Sequence, residues 1–83
     1  VEQLQELRVF AEAGRDYADS LHVLRGFALA ECALGRLPAA DRKLLMTKIL
    51  QGRSWQHCAR LAGLSGRKQV LERLRSAVRI CLA

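Results

Sequence analysis

The stretch SWQHCARLAGLSGRKQVLERLRSAVRICL, from Ser54 to Leu82, decides how this chain is read. It holds two helix-forming segments on either side of a turn, Gly63-Leu64-Ser65-Gly66. Ser54 is a good N-cap for a short helix through Ala62, because a serine hydroxyl accepts from the unpaired N–H groups of a first helical turn. Trp55, Cys58, Ala59 and Ala62 recur at helical spacing and form the expected inner side, with Leu61 nearby. Gly63 supplies the positive φ that only glycine takes without strain. Ala59, four residues earlier, allows two helices to approach closely, and Leu64 is expected to insert between them. From about Arg67 to Leu82, the positions Val70, Leu74, Ala77, Val78 and Cys81 follow a 3-and-4 spacing that faces a core. The opposite side shows Lys68, Glu72, Arg73, Ser76 and Arg79. Together these elements make a helix–turn–helix pattern.

Working outward, Leu4, Leu7, Phe10 and Ala11 predict an amphipathic helix over residues 2–13, ended at Gly14. Asp16 or its neighbour caps a second helix that runs to about Ala33 and is closed by Gly35. Its stripe is Leu21, Leu24, Ala28 and Cys32, flanked by Tyr17, Val23, Phe27 and Leu34. Leu37-Pro38 begins a third helix, with Leu44, Leu45, Lys48 and Ile49 placing its apolar face and Gln51-Gly52 stopping it. Strong helix formers dominate and β-branched residues are few, with one Pro and six Gly. The expected fold class is all-α, a compact bundle of about five helices with a C-terminal helix–turn–helix. Residues 1–83 read as a single domain, with 1–36 as supporting helices and 37–82 as the helix–turn–helix part, because neither half alone would bury a core. The chain starts at Val1 rather than Met, which reads as a piece of something longer. No stretch approaches the roughly 20 apolar residues of a membrane span.

Charge is divided unevenly. Residues 1–41 carry four basic and seven acidic side chains, whereas residues 42–83 carry ten basic side chains and one acid, Glu72. Such asymmetry bears on partners rather than on fold, and a compact basic half most often faces nucleic acid. Cys32, Cys58 and Cys81 are odd in number and widely spaced, so each reads as a small buried residue in a reducing, cytoplasmic setting. His57 and Cys58 point about 100° apart on a helix, which argues against a shared metal or a catalytic dyad. No Gly-rich phosphate loop or Ser-His-Asp arrangement is visible. The expectation is a non-enzymatic module with no cofactor and no metal.

The ordered set Leu37-Pro38, Asp41-Arg42-Lys43-Leu44-Leu45, Gly52-Arg53-Ser54-Trp55, Cys58-Ala59, Gly63-Leu64-Ser65 and Val70-Leu71-Glu72-Arg73-Leu74-Arg75-Ser76-Ala77 resembles region 4 of the sigma-70 family. Such domains also occur in phage regulators. The turn before Val70 is one residue longer than that pattern, at Gly66, and Cys58 stands where an aliphatic residue is commoner. The resemblance implies sequence-specific binding of double-stranded DNA by a transcription regulator, with residues 67–82 in the major groove. Base reading then falls to Lys68, Gln69, Glu72, Arg73 and Ser76, with Arg73 suited to guanine, Gln69 to adenine and Glu72 to cytosine. Phosphate contact falls to Lys43, Arg53, Ser54, Arg60, Arg67, Arg75 and Arg79. Glu72 has a second reading, as an intrahelical partner of Arg75 or Arg79. Trp55 reads as a packing anchor rather than a base-stacking platform. The resemblance also implies docking on RNA polymerase. Its alternative is a protein-interaction module that grips the polymerase or another regulator instead of DNA. Residues 1–13, with their apolar stripe, are a candidate homodimer surface.

Overall fold

Helix boundaries in this protein follow from local chemistry. The computed structural model describes residues 2–82, which form α1 (Glu2–Ala13), α2 (Tyr17–Leu34), α3 (Ala39–Leu45), α4 (Trp55–Ala62) and α5 (Arg67–Leu82). The Asp16 carboxylate accepts from the Ala18 N–H at 3.0 Å and starts α2, and the Ser54 hydroxyl accepts from the His57 N–H at 3.1 Å and starts α4. Gly63 ends α4 at φ 69°, with Leu64 N–H donating to the Ala59 carbonyl at 2.8 Å and Gly63 N–H to that of Arg60 at 3.4 Å. That double closure satisfies carbonyls the helix leaves open and turns the chain toward α5. The all-α class with five helices is what the periodicity predicts.

The third helix differs from expectation at both ends. Pro38 is extended, with ψ 152°, so the helix begins at Ala39 rather than at Leu37-Pro38. At the other end α3 runs on into a π-helical turn, Met46–Leu50, closed by Gln51 N–H on the Met46 carbonyl at 2.9 Å. The Thr47 hydroxyl donates to the Lys43 carbonyl at 2.7 Å. A threonine bonding back to the previous turn competes with the backbone ladder there, which accounts for the local widening.

The core draws on every helix. Phe10, Leu24, Leu45, Ile49, Cys58, Val70, Leu74 and Val78 are all fully enclosed. The α1 stripe of Leu7, Phe10 and Ala11 lies inside this cluster, and α1 packs on α2 and α5. Most of the stripe that suggested a homodimer surface in residues 1–13 is thus covered within the chain, whereas its first residue, Leu4, stays 44% exposed. Two other positions fall differently. Ala62 is exposed, and Leu34 lies outside the buried stripe of α2, which runs through Ser20, Val23, Leu24, Phe27, Ala28 and Glu31. Among the described residues, no helix is long and apolar enough to cross a membrane.

One buried charge holds a corner. Glu31 is 2% exposed and receives a two-pronged contact from Arg36, with Nε donating at 3.1 Å to one oxygen and the other guanidinium nitrogen donating to the second. That contact holds the Glu31 carboxyl below its usual range. Burial, and then a hydrogen bond to Glu31, push the Cys81 thiol up to about 11. Glu31, Arg36 and Cys81 line one hollow where the ends of α2 and α5 come together.

Two outcomes follow. Leu74→Ala, at the centre of the core, is expected to cost about 2–5 kcal/mol, a large part of the roughly 4–12 kcal/mol that a domain of this size holds. Urea unfolding measures it, and a midpoint near wild type would contradict the packing described. Glu31 has a depressed folded pKa, so its contribution is present above the unfolded value near 4.5 and is lost as pH falls through the folded value. Glu31→Gln should therefore melt lower than wild type at neutral pH, and the difference should shrink on acidification below 4.5.

Candidate nucleic-acid interface

The last helix turns its cations in two directions. Val70, Leu74, Ala77 and Val78 must face the core, which fixes the rotation of α5. With that rotation set, Arg75 reaches α1: its Nε donates to the Phe10 carbonyl at 3.1 Å and a terminal nitrogen to the Arg15 carbonyl at 3.2 Å. Arg79 donates to the Ala11 carbonyl at 3.0 Å and to Glu72 at 2.7 Å. These two arginines, expected on phosphates, are occupied by the structure. Glu72 takes its intrahelical reading, with Arg79 as its partner. Gln69 is also engaged, its side-chain oxygen accepting from the Ser65 N–H at 2.8 Å and closing the start of α5. Ser76 is half-buried, whereas Lys68 is exposed.

Arg73 points the other way. It is 47% exposed and pairs with Asp41 of α3 at 2.9 Å. Beside it lies a concave pocket of about 150 Å³, lined by Ala40, Lys43, Leu44, Thr47, Leu61, Ala62 and Arg73. The structure thus brings Lys43 and Arg73, 30 positions apart in the chain, to one rim.

A second group forms around Trp55. The Lys48 ammonium lies 4.2 Å from the Trp55 ring centre and 5.8 Å from that of Tyr17, and the Arg67 guanidinium lies 5.2 Å from the Trp55 ring. Tyr17 meets Trp55 edge-on at 4.9 Å between centroids. Lys48 is nearly buried and donates to the Arg53 carbonyl at 2.6 Å. A buried ammonium needs both an acceptor and a π face in place of water, and this cluster supplies them. The consequence is positional: the loop carrying Arg53 and Ser54 is pinned to the π-helical turn. Ser54 itself is engaged in capping α4. Arg53, Arg60 and Lys43 are exposed. Thr47, Leu61 and Asp41 were not among the expected site residues. Leu61 reads only as a neighbour of the inner side of its helix, and no local signal tells which cation an acidic residue will pair with.

A family profile described as a tRNA-binding domain matches residues 1–83. The chain belongs to that family. A stretch of 43 residues is 49% identical to a segment of the tRNA(Met) cytidine acetyltransferase TmcA of Nitrosococcus halophilus, covering 52% of this chain and 6% of that enzyme. No solved structure matches the chain.

Membership of the tRNA-binding domain family corrects several expectations. The chain is not a sigma region-4 domain, and double-stranded DNA, transcription regulation and RNA polymerase, as main or alternative partner, are set aside. The reason is physical. An αL glycine, a small residue four positions earlier and a 3-and-4 apolar helix are what any two helices need around a tight turn. A basic half neutralises phosphates, and phosphates are common to DNA and RNA. Base reading of duplex DNA by Lys68, Gln69, Glu72, Arg73 and Ser76 falls with that correction.

Arg73 is paired with Asp41, so an anion that met Arg73 would compete with that carboxylate. Asp41→Asn is expected to tighten tRNA binding about two- to fivefold at low salt, with a stability loss of about 1–2 kcal/mol, because the Asp41 carboxylate is only 12% exposed and sits in a first helical turn. Filter binding and thermal melting check both, and unchanged affinity would show that Arg73 stays off the RNA.

Proposed function

We propose that this chain is the tRNA-holding module of a longer, cytoplasmic protein that acts on tRNA, and that it contributes binding rather than chemistry. The observation that carries this reading is the whole-chain family match, and the concentration of charge in residues 42–83 supplies its physical basis. The chain matches only 6% of the length of the acetyltransferase it resembles, so the chemistry of the longer protein is assigned to other parts of it.

Binding runs through phosphates. Lys43, Arg53, Arg60, Arg67, Lys68 and Arg73 are the exposed cations of the basic half that are not tied to α1, and they are the proposed contacts. Arg75 and Arg79 are excluded, because their guanidinium groups already donate to α1 carbonyls. Phosphate contacts of this kind fix where the RNA lies without reading its sequence. They release condensed counterions, so affinity falls as salt rises. A-form RNA buries its base edges in a deep, narrow groove, which leaves backbone charge, shape and unpaired bases as the features to hold.

The test is the salt dependence of binding to unfractionated tRNA. If all these cations meet phosphates, log K against log salt should have a slope of about −4 to −5. Changing Arg53, Arg60 or Lys68 to Ala should each reduce the slope by about 0.7–0.9. Arg75→Ala and Arg79→Ala should leave the slope intact and lower the melting temperature instead. A flat salt dependence, or a slope lost through Arg75 and Arg79, contradicts the assignment.

A further inference from the structure

The pocket between α3, α4 and α5 does more than collect charge. Its floor is Leu44 and Thr47, both buried, and its rim is Ala40, Lys43, Leu61, Ala62 and Arg73, all exposed. Leu61 stands 48% exposed at the edge of this hollow. A concave apolar surface left open to water is costly, and a ligand that fills it recovers that cost.

Size and chemistry narrow the ligand. The pocket measures about 150 Å³, and an apolar protein cavity of roughly that volume takes up one benzene ring. A single six-membered ring therefore fits within its walls, whereas a two-ring purine would leave one ring in the open mouth. The Leu and Ala walls suit the faces of such a ring. The rim cations come from different helices, Lys43 from α3 and Arg73 from α5, and both border the hollow, where phosphates adjoining a seated base could meet them. Charge complementarity favours a nucleotide over an apolar protein side chain, which would gain nothing from the two cations. A base paired in a duplex is stacked and out of reach, whereas bases in loops and ends are available for capture.

We infer that this pocket takes one unpaired pyrimidine base of a bound RNA, with Lys43 and Arg73 holding the phosphates on either side. The inference rests on the RNA-binding reading above and adds a ligand to it. Asp41 then acts as a stand-in for phosphate: Arg73 leaves the carboxylate when the RNA backbone arrives. The Thr47 hydroxyl, bonded to the Lys43 carbonyl, keeps the pocket floor in the widened turn. RNA held this way is distinguished by having a free base, not by groove shape alone.

The experiment uses the 83-residue chain and two RNAs with equal numbers of phosphates, one a hairpin with a loop of cytidines and uridines, the other a fully paired duplex. Fluorescence anisotropy gives the affinity of each across a salt series. Ala62→Trp fills the pocket and Leu61→Ala removes one wall, and neither changes charge. Wild type should prefer the hairpin. Both variants should weaken hairpin binding about tenfold, the scale of one base lost from a protein contact, while duplex affinity and both salt slopes stay unchanged. Lys43→Ala should lower the slope on the hairpin. Circular dichroism checks folding, and if Ala62→Trp disturbs it, Leu61→Ala decides, since its side chain is half out of the core. Equal binding of both RNAs by wild type, full hairpin affinity in Leu61→Ala, or equal losses on hairpin and duplex would each overturn the pocket assignment. Salt-independent or absent binding of both RNAs by wild type would instead overturn the RNA-binding reading beneath it.

Discussion

The last carbonyls of α1 have no partner within α1, and α5 supplies one. Phe10 and Ala11 fall where a helix runs out of N–H donors, and α1 carries no basic residue in its last turn to offset its dipole. Arg75 and Arg79 answer both needs from 65 and 68 positions away. Charge-assisted donors on open carbonyls are among the stronger hydrogen bonds a protein makes. The contact joins the acidic first half to the basic second half, and it works beside the apolar packing of α1 on α5. It also decides which cations remain for a partner, since the two arginines nearest α1 are taken. A count of charges along the chain overstates how many cations are left without a partner inside the fold for this reason.

The π-helical turn plays the matching role on the other side of the molecule. Its widened backbone places Thr47 in the floor of the apolar pocket and sends Lys48 inward toward Tyr17 and Trp55. Lys48 in turn holds the Arg53 carbonyl and so orients the loop that enters α4. One irregular turn thereby sets both the pocket and the loop beside it. Trp55 is a structural group here, lying beneath cations from two elements, as its position on the helix suggested.

Helix–turn–helix patterning and basic charge are each compatible with several polyanions. The glycine and alanine signals around residues 59–63 arise from the steric needs of a tight turn, and the charge signal arises from phosphate. Neither contains the groove geometry that separates A-form RNA from B-form DNA. The fold class was therefore legible from the chain, whereas the choice of nucleic acid came from the family to which the whole chain belongs. The distinction matters for Gln69 and Glu72, which look like base readers on a helical wheel and are in fact engaged in closing and pairing within α5.

Local forces act between residues a few positions apart, and these the sequence determined by itself. The five helices, the caps at Asp16 and Ser54, the left-handed turn at Gly63 and the apolar face of α5 depend on neighbours within one or two turns. Tertiary structure alone decided what each polar side chain meets. Arg73 finds Asp41 across 32 positions, Arg75 finds Phe10 across 65, and Ala62 ends on a pocket rim instead of in the core. Periodicity gives the face a residue occupies on its own helix; it carries no information about which other helix will stand opposite. That pairing emerges only when all five helices bury their apolar faces together, and with it comes the division between cations that hold the fold and cations left exposed to solvent.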